Sequence, residues 1–183
     1  GGTAATFPTA PEPTTLASSG NSDVFVARYD ADGDVLWAKR AGSPGWDYAY
    51  GIAADPAGGF YVTGSHSDTG TTTFETGATT FAGGCFDDVF LARFDDDGTF
   101  DWAQRISGCS AASGKAMAPA PDGGVIVAGQ FLGTAVFGEG TAAETTLGAT
   151  DCGGGSGDAF VARYQGDGAL AWASCAGGAD ADR

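Results

Sequence analysis

Asp88-Val-Phe-Leu-Ala-Arg-Phe-Asp-Asp-Asp-Gly-Thr-Phe-Asp-Trp102 has two near-copies in the same chain, one from Asp23 to Trp37 and one from Asp158 to Trp172. Each copy opens on Asp, with Phe two residues later (Phe25, Phe90, Phe160) and Arg five later (Arg28, Arg93, Arg163). Gly follows ten after the Asp (Gly33, Gly98, Gly168) and Trp fourteen after it (Trp37, Trp102, Trp172). Asp23 to Asp88 is 65 residues and Asp88 to Asp158 is 70, so the chain is a repeat protein and every residue must be read against its counterparts.

Working outward, Val24-Phe-Val-Ala-Arg-Tyr29 reads as a strand with Phe25, Ala27 and Tyr29 on one face and Val24 and Val26 on the other. Apolar residues on both faces predict a strand covered on both sides, as in stacked sheets. Asp30-Ala-Asp-Gly33 supplies turn chemistry and Val35-Leu-Trp-Ala38 returns the chain, giving a β-hairpin three times over. Thr-rich segments precede each copy and predict small hairpins: Gly2-Thr-Ala-Ala-Thr-Phe7 with Thr14-Thr-Leu16, Gly70-Thr-Thr-Thr-Phe74 with Thr79-Thr-Phe81, and Gly133-Thr-Ala-Val-Phe137 with Thr145-Thr-Leu147. After each of the first two hairpins come two more strands. In the first unit a loop over residues 42–50 leads to Gly51-Ile-Ala-Ala-Asp55, then a Pro-Ala-Gly-Gly turn, then Phe60-Tyr-Val-Thr-Gly64; the second unit repeats this as Ala116-Met-Ala-Pro-Ala120 and Val125-Ile-Val-Ala-Gly129.

Four strands per unit, joined up-and-down by short turns and apolar on both faces, predict an all-β fold of antiparallel four-stranded β-propeller blades. The small-residue strand is expected innermost, where blades converge, and the Trp-bearing hairpin outermost. The chain then holds about two and a half repeats: residues 1–50 as hairpins completing a preceding blade, 51–114 as a blade, and 115–183 as a blade that ends where another would begin. That is too few to close a ring, so the expectation is a segment of a larger propeller, with closure against a neighbouring copy as the alternative.

Asp88, Phe90, Gly98 and Trp102, followed by Ile52, Asp55, Gly58, Tyr61, Val62, Gly64 and their counterparts, resemble the bacterial SBBP repeat, a β-propeller repeat of secreted and surface proteins. The resemblance covers nearly the whole chain and implies a propeller without implying an activity. The chain departs from the pattern in the long Thr/Gly-rich insertions. A weaker resemblance is to quinoprotein propellers, whose blades are locked by a Gly-x-x-x-Trp motif like Gly33 to Trp37. A Trp at one position in every copy reads as blade locking, since a cofactor site needs singular residues, and no cofactor is expected.

Acidic residues outnumber basic ones 23 to 8, for a net charge of −15, which argues against nucleic acid and anionic membrane surfaces as partners. The acidity suits solubility outside the cell, with cation binding as the alternative. No apolar run is long enough for a membrane span and no signal peptide stands at Gly1, which suits a mature or excised secreted chain.

Catalytic candidates are few. The single histidine, His66, is expected at the surface, and no nucleophile elbow, zincin or P-loop pattern occurs. Asp30, Asp32 and Asp34, like Asp95, Asp96 and Asp97, alternate or cluster as calcium-loop carboxylates do, but the twelve-residue frame is missing and hairpin turns are the reading, calcium being the alternative. Arg28, Arg93 and Arg163 are expected to pair with a carboxylate or a strand-edge carbonyl. Neither a catalytic nor a metal site is assigned.

Four cysteines predict two disulfides, Cys85–Cys109 and Cys152–Cys175, because in each pair one precedes the Asp-x-Phe strand and the other follows the Trp. A free thiol pair or a metal site is the alternative, though no Cys-x-x-Cys spacing exists. Disulfides imply an oxidising compartment. Trp46, Tyr48 and Tyr50 align with Ala111, Ser113 and Lys115, so the repeat does not require aromatic residues there. They are the candidate contact residues for a surface glycan or another protein, with packing against a neighbouring insertion as the alternative. The chain is therefore expected to be an extracellular or cell-surface scaffold or recognition module. The alternative is the propeller part of a larger secreted enzyme, a quinoprotein or hydrolase, with its active site elsewhere.

Overall fold

The computed structural model describes residues 4–9, 11–67, 71–74, 80–81, 87–108, 110–152 and 157–178. It is all-β, 62% strand against 2% helix, and every strand pair is antiparallel. The strands are β1 (Ala4–Phe7), β2 (Thr14–Ala17), β3 (Val24–Tyr29), β4 (Val35–Gly42), β5 (Asp47–Ala54), β6 (Phe60–His66), β7 (Thr72–Phe74) and β8 (Thr80–Phe81). They continue as β9 (Asp88–Phe94), β10 (Phe100–Gly108), β11 (Ala112–Pro119), β12 (Val125–Phe131), β13 (Thr134–Phe137) and β14 (Thr145–Gly148). One helical turn, α1 (Ala149–Cys152), precedes β15 (Asp158–Tyr164) and β16 (Leu170–Ala176).

The three repeated stretches fold as the hairpins β3-β4, β9-β10 and β15-β16, closed by the same turn. In the first, Asp30 N donates to Asp34 O at 3.0 Å, and Gly33 takes φ 90° at the position a side chain rarely adopts. Asp30 Oδ1 accepts from the amides of Asp32 and Asp34, Asp97 Oδ1 from Thr99 and Asp167 Oδ1 from Ala169. These turn carboxylates hold their own backbone.

The sheets run β5-β6-β9-β10-β13-β14, β11-β12-β15-β16, β3-β4-β7-β8 and β1-β2, and none closes on itself. The Trp-bearing hairpin was expected to be outermost. Instead β7 pairs along β4 (Ala41 opposite Phe74) and β13 along β10 (Ser107 opposite Val136), so each insertion leaves its own unit and extends the outer edge of the preceding one by two strands. Their β-branched residues give these edges a partner, which the hairpin sequence alone does not reveal.

Successive sheets stack face to face. Val62, Phe90, Ala92 and Phe94 of the middle sheet pack on Val24, Ala41 and Phe74. From its other face Tyr61, Val89, Leu91 and Ile106 pack on Val125, Val127, Phe160, Ala162 and Tyr164. Strand β9 is thus covered on both faces, and each buried Leu or Val contributes about 1.5–3 kcal/mol. Strand β3, for which two covered faces were expected, is covered on one: Val24 is buried, whereas Phe25 and Tyr29 are exposed on the face turned away from the middle sheet. Among the described residues only the short β1-β2 hairpin lies against that face, through Phe7 and Leu16.

Candidate functional site

Trp46, Tyr48 and Tyr50 form a row. The loop expected over residues 42–50 is shorter, because β4 runs on to Gly42 and β5 begins at Asp47, so both tyrosines stand on the strand. Strand alternation turns Asp47 inward and the three rings outward. Asp47 is fully buried and anchors the start of β5, its Oδ2 accepting from the Ser43 amide and hydroxyl at 2.8 Å each. The Trp46 amide donates to Ser67 Oγ at 3.0 Å, and Trp46 also bridges to Ser22. The rings are 52%, 39% and 45% exposed, so they are not consumed by the core. Their centroids lie 6.3 and 6.2 Å apart with planes 19° and 22° from parallel.

At the end of the row Lys115 Nζ lies 4.1 Å from the Tyr50 centroid, a cation–π contact of about 0.5–1 kcal/mol at an exposed site. Both residues occupy β-bulges. The register of β5 slips between Ala49 and Gly51, and that of β11 slips between Gly114 and Ala116. Tyr50 and Lys115 are therefore counterparts one repeat apart, brought together because β5 and β11 lie side by side at the same end of neighbouring sheets. Their alignment in sequence was the signal for this contact; that counterpart positions touch was not legible there.

His66, expected at the surface, is fully buried in β6. Its Nδ1 lies 3.1 Å from Thr72 Oγ1, which donates in turn to Asp47 Oδ1 at 3.4 Å, and Phe81 lies against its ring. Burial, with the nearby Arg105 cation, holds the imidazole down at about 4, so it is neutral at pH 7. Burial likewise raises the Asp47 carboxyl above the usual range, against the lowering effect of its bonds from Ser43. The insertion strand β7 carries Thr72 into this cluster, and nothing in the single-histidine sequence points to it. The cluster ties β5, β6 and β7 to the turn at Ser43.

The repeated arginines pair as expected. Arg93 donates to Asp55 Oδ2 at 2.9 Å, to Asp101 at 2.6 Å and to the Gly58 carbonyl at 2.9 Å, and Arg163 to Asp122 at 2.6 Å. Arg28 reaches into the next unit, to the carbonyl and carboxylate of Asp96. Burial pushes the Asp55 carboxyl up, but donors from Ala57, Arg93 and Tyr61 outweigh it and hold it below the usual range. Tyr61, buried and donating to that carboxylate, is pushed up to about 12. Cys152 and Cys175 form a disulfide that ties α1 to β16; Cys85 and Cys109 lie outside the described residues. Among the described residues no group of three or more His, Cys, Asp or Glu could hold a metal ion, and no helix is long and apolar enough to cross a membrane. No family model matches the chain and no curated protein is detectably similar to it.

Proposed function

We propose that the chain is a run of β-propeller blades of the SBBP type, a non-catalytic part of a secreted or cell-surface protein, which presents the Trp46–Tyr48–Tyr50 row to an extended polysaccharide. The blade reading draws support from the recurrence of one contact between successive sheets: Trp37 lies against Gly98, and Trp102 against Gly168. The Cys152–Cys175 disulfide supports an oxidising compartment.

The observation that carries the binding role is the exposure of three near-parallel rings at positions where the second unit carries Ala111, Ser113 and Lys115. Aromatic faces stack on the C–H faces of sugar rings, and the chain's charge of −15 disfavours anionic polymers. A neutral polysaccharide is the ligand class. Electrophoresis through gels containing neutral polysaccharides is the test, with the wild-type chain expected to be retarded. The Trp46→Ala/Tyr48→Ala double variant, with an unchanged circular dichroism spectrum, is expected to bind at least tenfold more weakly, about 1.4 kcal/mol. Equal mobility of both in every gel discards the glycan; co-purification of a protein lost only in the double variant replaces it with a protein partner.

A further inference from the structure

Lys115 differs from the arginines of the chain in what it sits on. Acidic residues outnumber basic ones 23 to 8, so a carboxylate is within reach of most positive groups. Arg28, Arg40, Arg93, Arg105 and Arg163 each pair with one at 3.5 Å or less. Lys115 is exposed and has no carboxylate partner among the described residues. Its Nζ lies instead 4.1 Å from the centroid of the Tyr50 ring. A ring face attracts an ammonium through its quadrupole but carries no net charge, so the positive charge is held in place without being neutralised.

The backbone sets this position. Strands β5 and β11 are the edge strands of the two larger sheets, and the bulge in each lifts one residue out of the ladder, Tyr50 in β5 and Lys115 in β11. A bulge re-aims its side chain, and with β5 and β11 side by side the two bulges bring ring and ammonium together. The row of Trp46, Tyr48 and Tyr50 therefore crosses from one sheet to the next and ends in a cation. A ligand that lies along the three rings reaches the ammonium at the Tyr50 end.

We infer that Lys115 sets the specificity of the row by pairing with a single oxyanion, a uronic acid carboxylate or a sulfate ester, on an otherwise neutral polysaccharide. The inference rests on the glycan reading of the row and narrows it. One ammonium matches one anion. A polymer charged at every sugar is still repelled by the net −15, whereas an isolated anion seated on Lys115 meets the positive charge well inside a Debye length of about 8 Å. The ring faces take the neutral sugars and Lys115 takes the charged one.

Affinity electrophoresis in matched polymers tests it. Each neutral polysaccharide of the gel panel is compared with the same polymer sparsely oxidised to carboxylate at C6, and with the same polymer sparsely sulfated. Mobilities are referred to the Trp46→Ala/Tyr48→Ala variant, whose net charge equals that of the wild type. The wild-type chain is expected to bind a sparsely charged form about three- to fivefold more tightly than the neutral form, the scale of an exposed ion pair. The arm that shows the gain identifies the oxyanion. The gain is expected to vanish in about 1 M salt, where the Debye length is about 3 Å. Lys115→Met keeps an unbranched stem over Tyr50 without the charge, and is expected to bind the charged and neutral forms alike. Retardation with no gain in either charged form overturns the inference and leaves the glycan reading standing, as does a gain that survives in Lys115→Met or in high salt. Absence of retardation in all three forms overturns both.

Discussion

Trp102 and Gly168 show how one residue type comes to be required at a distance. The indole needs a flat seat, a Cβ at Gly168 would intrude to 2.9 Å, and the φ of 84° already disfavours a side chain. Gly168→Ala is therefore expected to cost at least 1 kcal/mol, and Trp102→Ala, which also loses the bond to Gly166 and the contact with Tyr61, about 2–3 kcal/mol, both read from urea unfolding. The buried His66 makes a pH prediction. Its folded value is about 4 against 6.5 for a free imidazole, so the unfolded chain takes up a proton that the folded chain refuses. The stability held above pH 6.5 is lost as pH falls toward 4, at up to about 1.4 kcal/mol per pH unit. The raised Asp47 carboxyl works in the opposite sense, gaining stability as it protonates at the acid end of that window. From pH 7 to pH 5 the wild type should lose about 2 kcal/mol that a His66→Gln variant does not; parallel stability profiles would show that the imidazole is protonated in the fold.

At the scale of elements, the third unit differs from the first two in how its outer strand is secured. Arg40 and Arg105 on β4 and β10 reach the carboxylates of Asp23 and Asp88, at 3.4 and 3.7 Å. Three residues past the Trp, where those arginines stand, β16 carries Cys175. The disulfide to Cys152 secures the strand instead, and among the described residues neither carboxylate oxygen of the buried Asp158 has a hydrogen-bond partner. The bridge spans 23 residues, so Cys152→Ser/Cys175→Ser is expected to lower stability by about 3 kcal/mol in the chain-entropy account. Cys152→Ser/Cys175→Arg should lose less, because the guanidinium regains Asp158. Equal losses in the two double variants would show that the arginine position has no structural role in this unit.

Across the whole molecule, stability should fall from the centre of the stack outward. Strand β9 is interior to its sheet and covered on both faces, while β3 and β16 have one sheet face and one edge open. Native-state hydrogen exchange is expected to be slowest in β9 and β6 and at least tenfold faster in β16; uniform protection would mean that the stack opens only as one unit. By itself the sequence determined the repeat, the all-β class, the three hairpins, their Asp/Gly turns and the small hairpins before each Asp-x-Phe strand, because these follow from side-chain alternation and turn chemistry within a few residues. It also singled out Trp46, Tyr48 and Tyr50, by their mismatch with the second unit. Only the tertiary structure decided that the insertions pair with the preceding sheet, that Lys115 caps Tyr50, that His66 is buried beneath β7, and that Trp37 and Trp102 each seat on the Gly of the following unit rather than of their own. The first and fourth of these join residues of different units, the second joins two counterparts and the third depends on where the insertion folds back, and periodicity within a unit carries no information about which neighbour a face will meet. That choice is made by shape and by the need to cover both faces and the edge of every sheet.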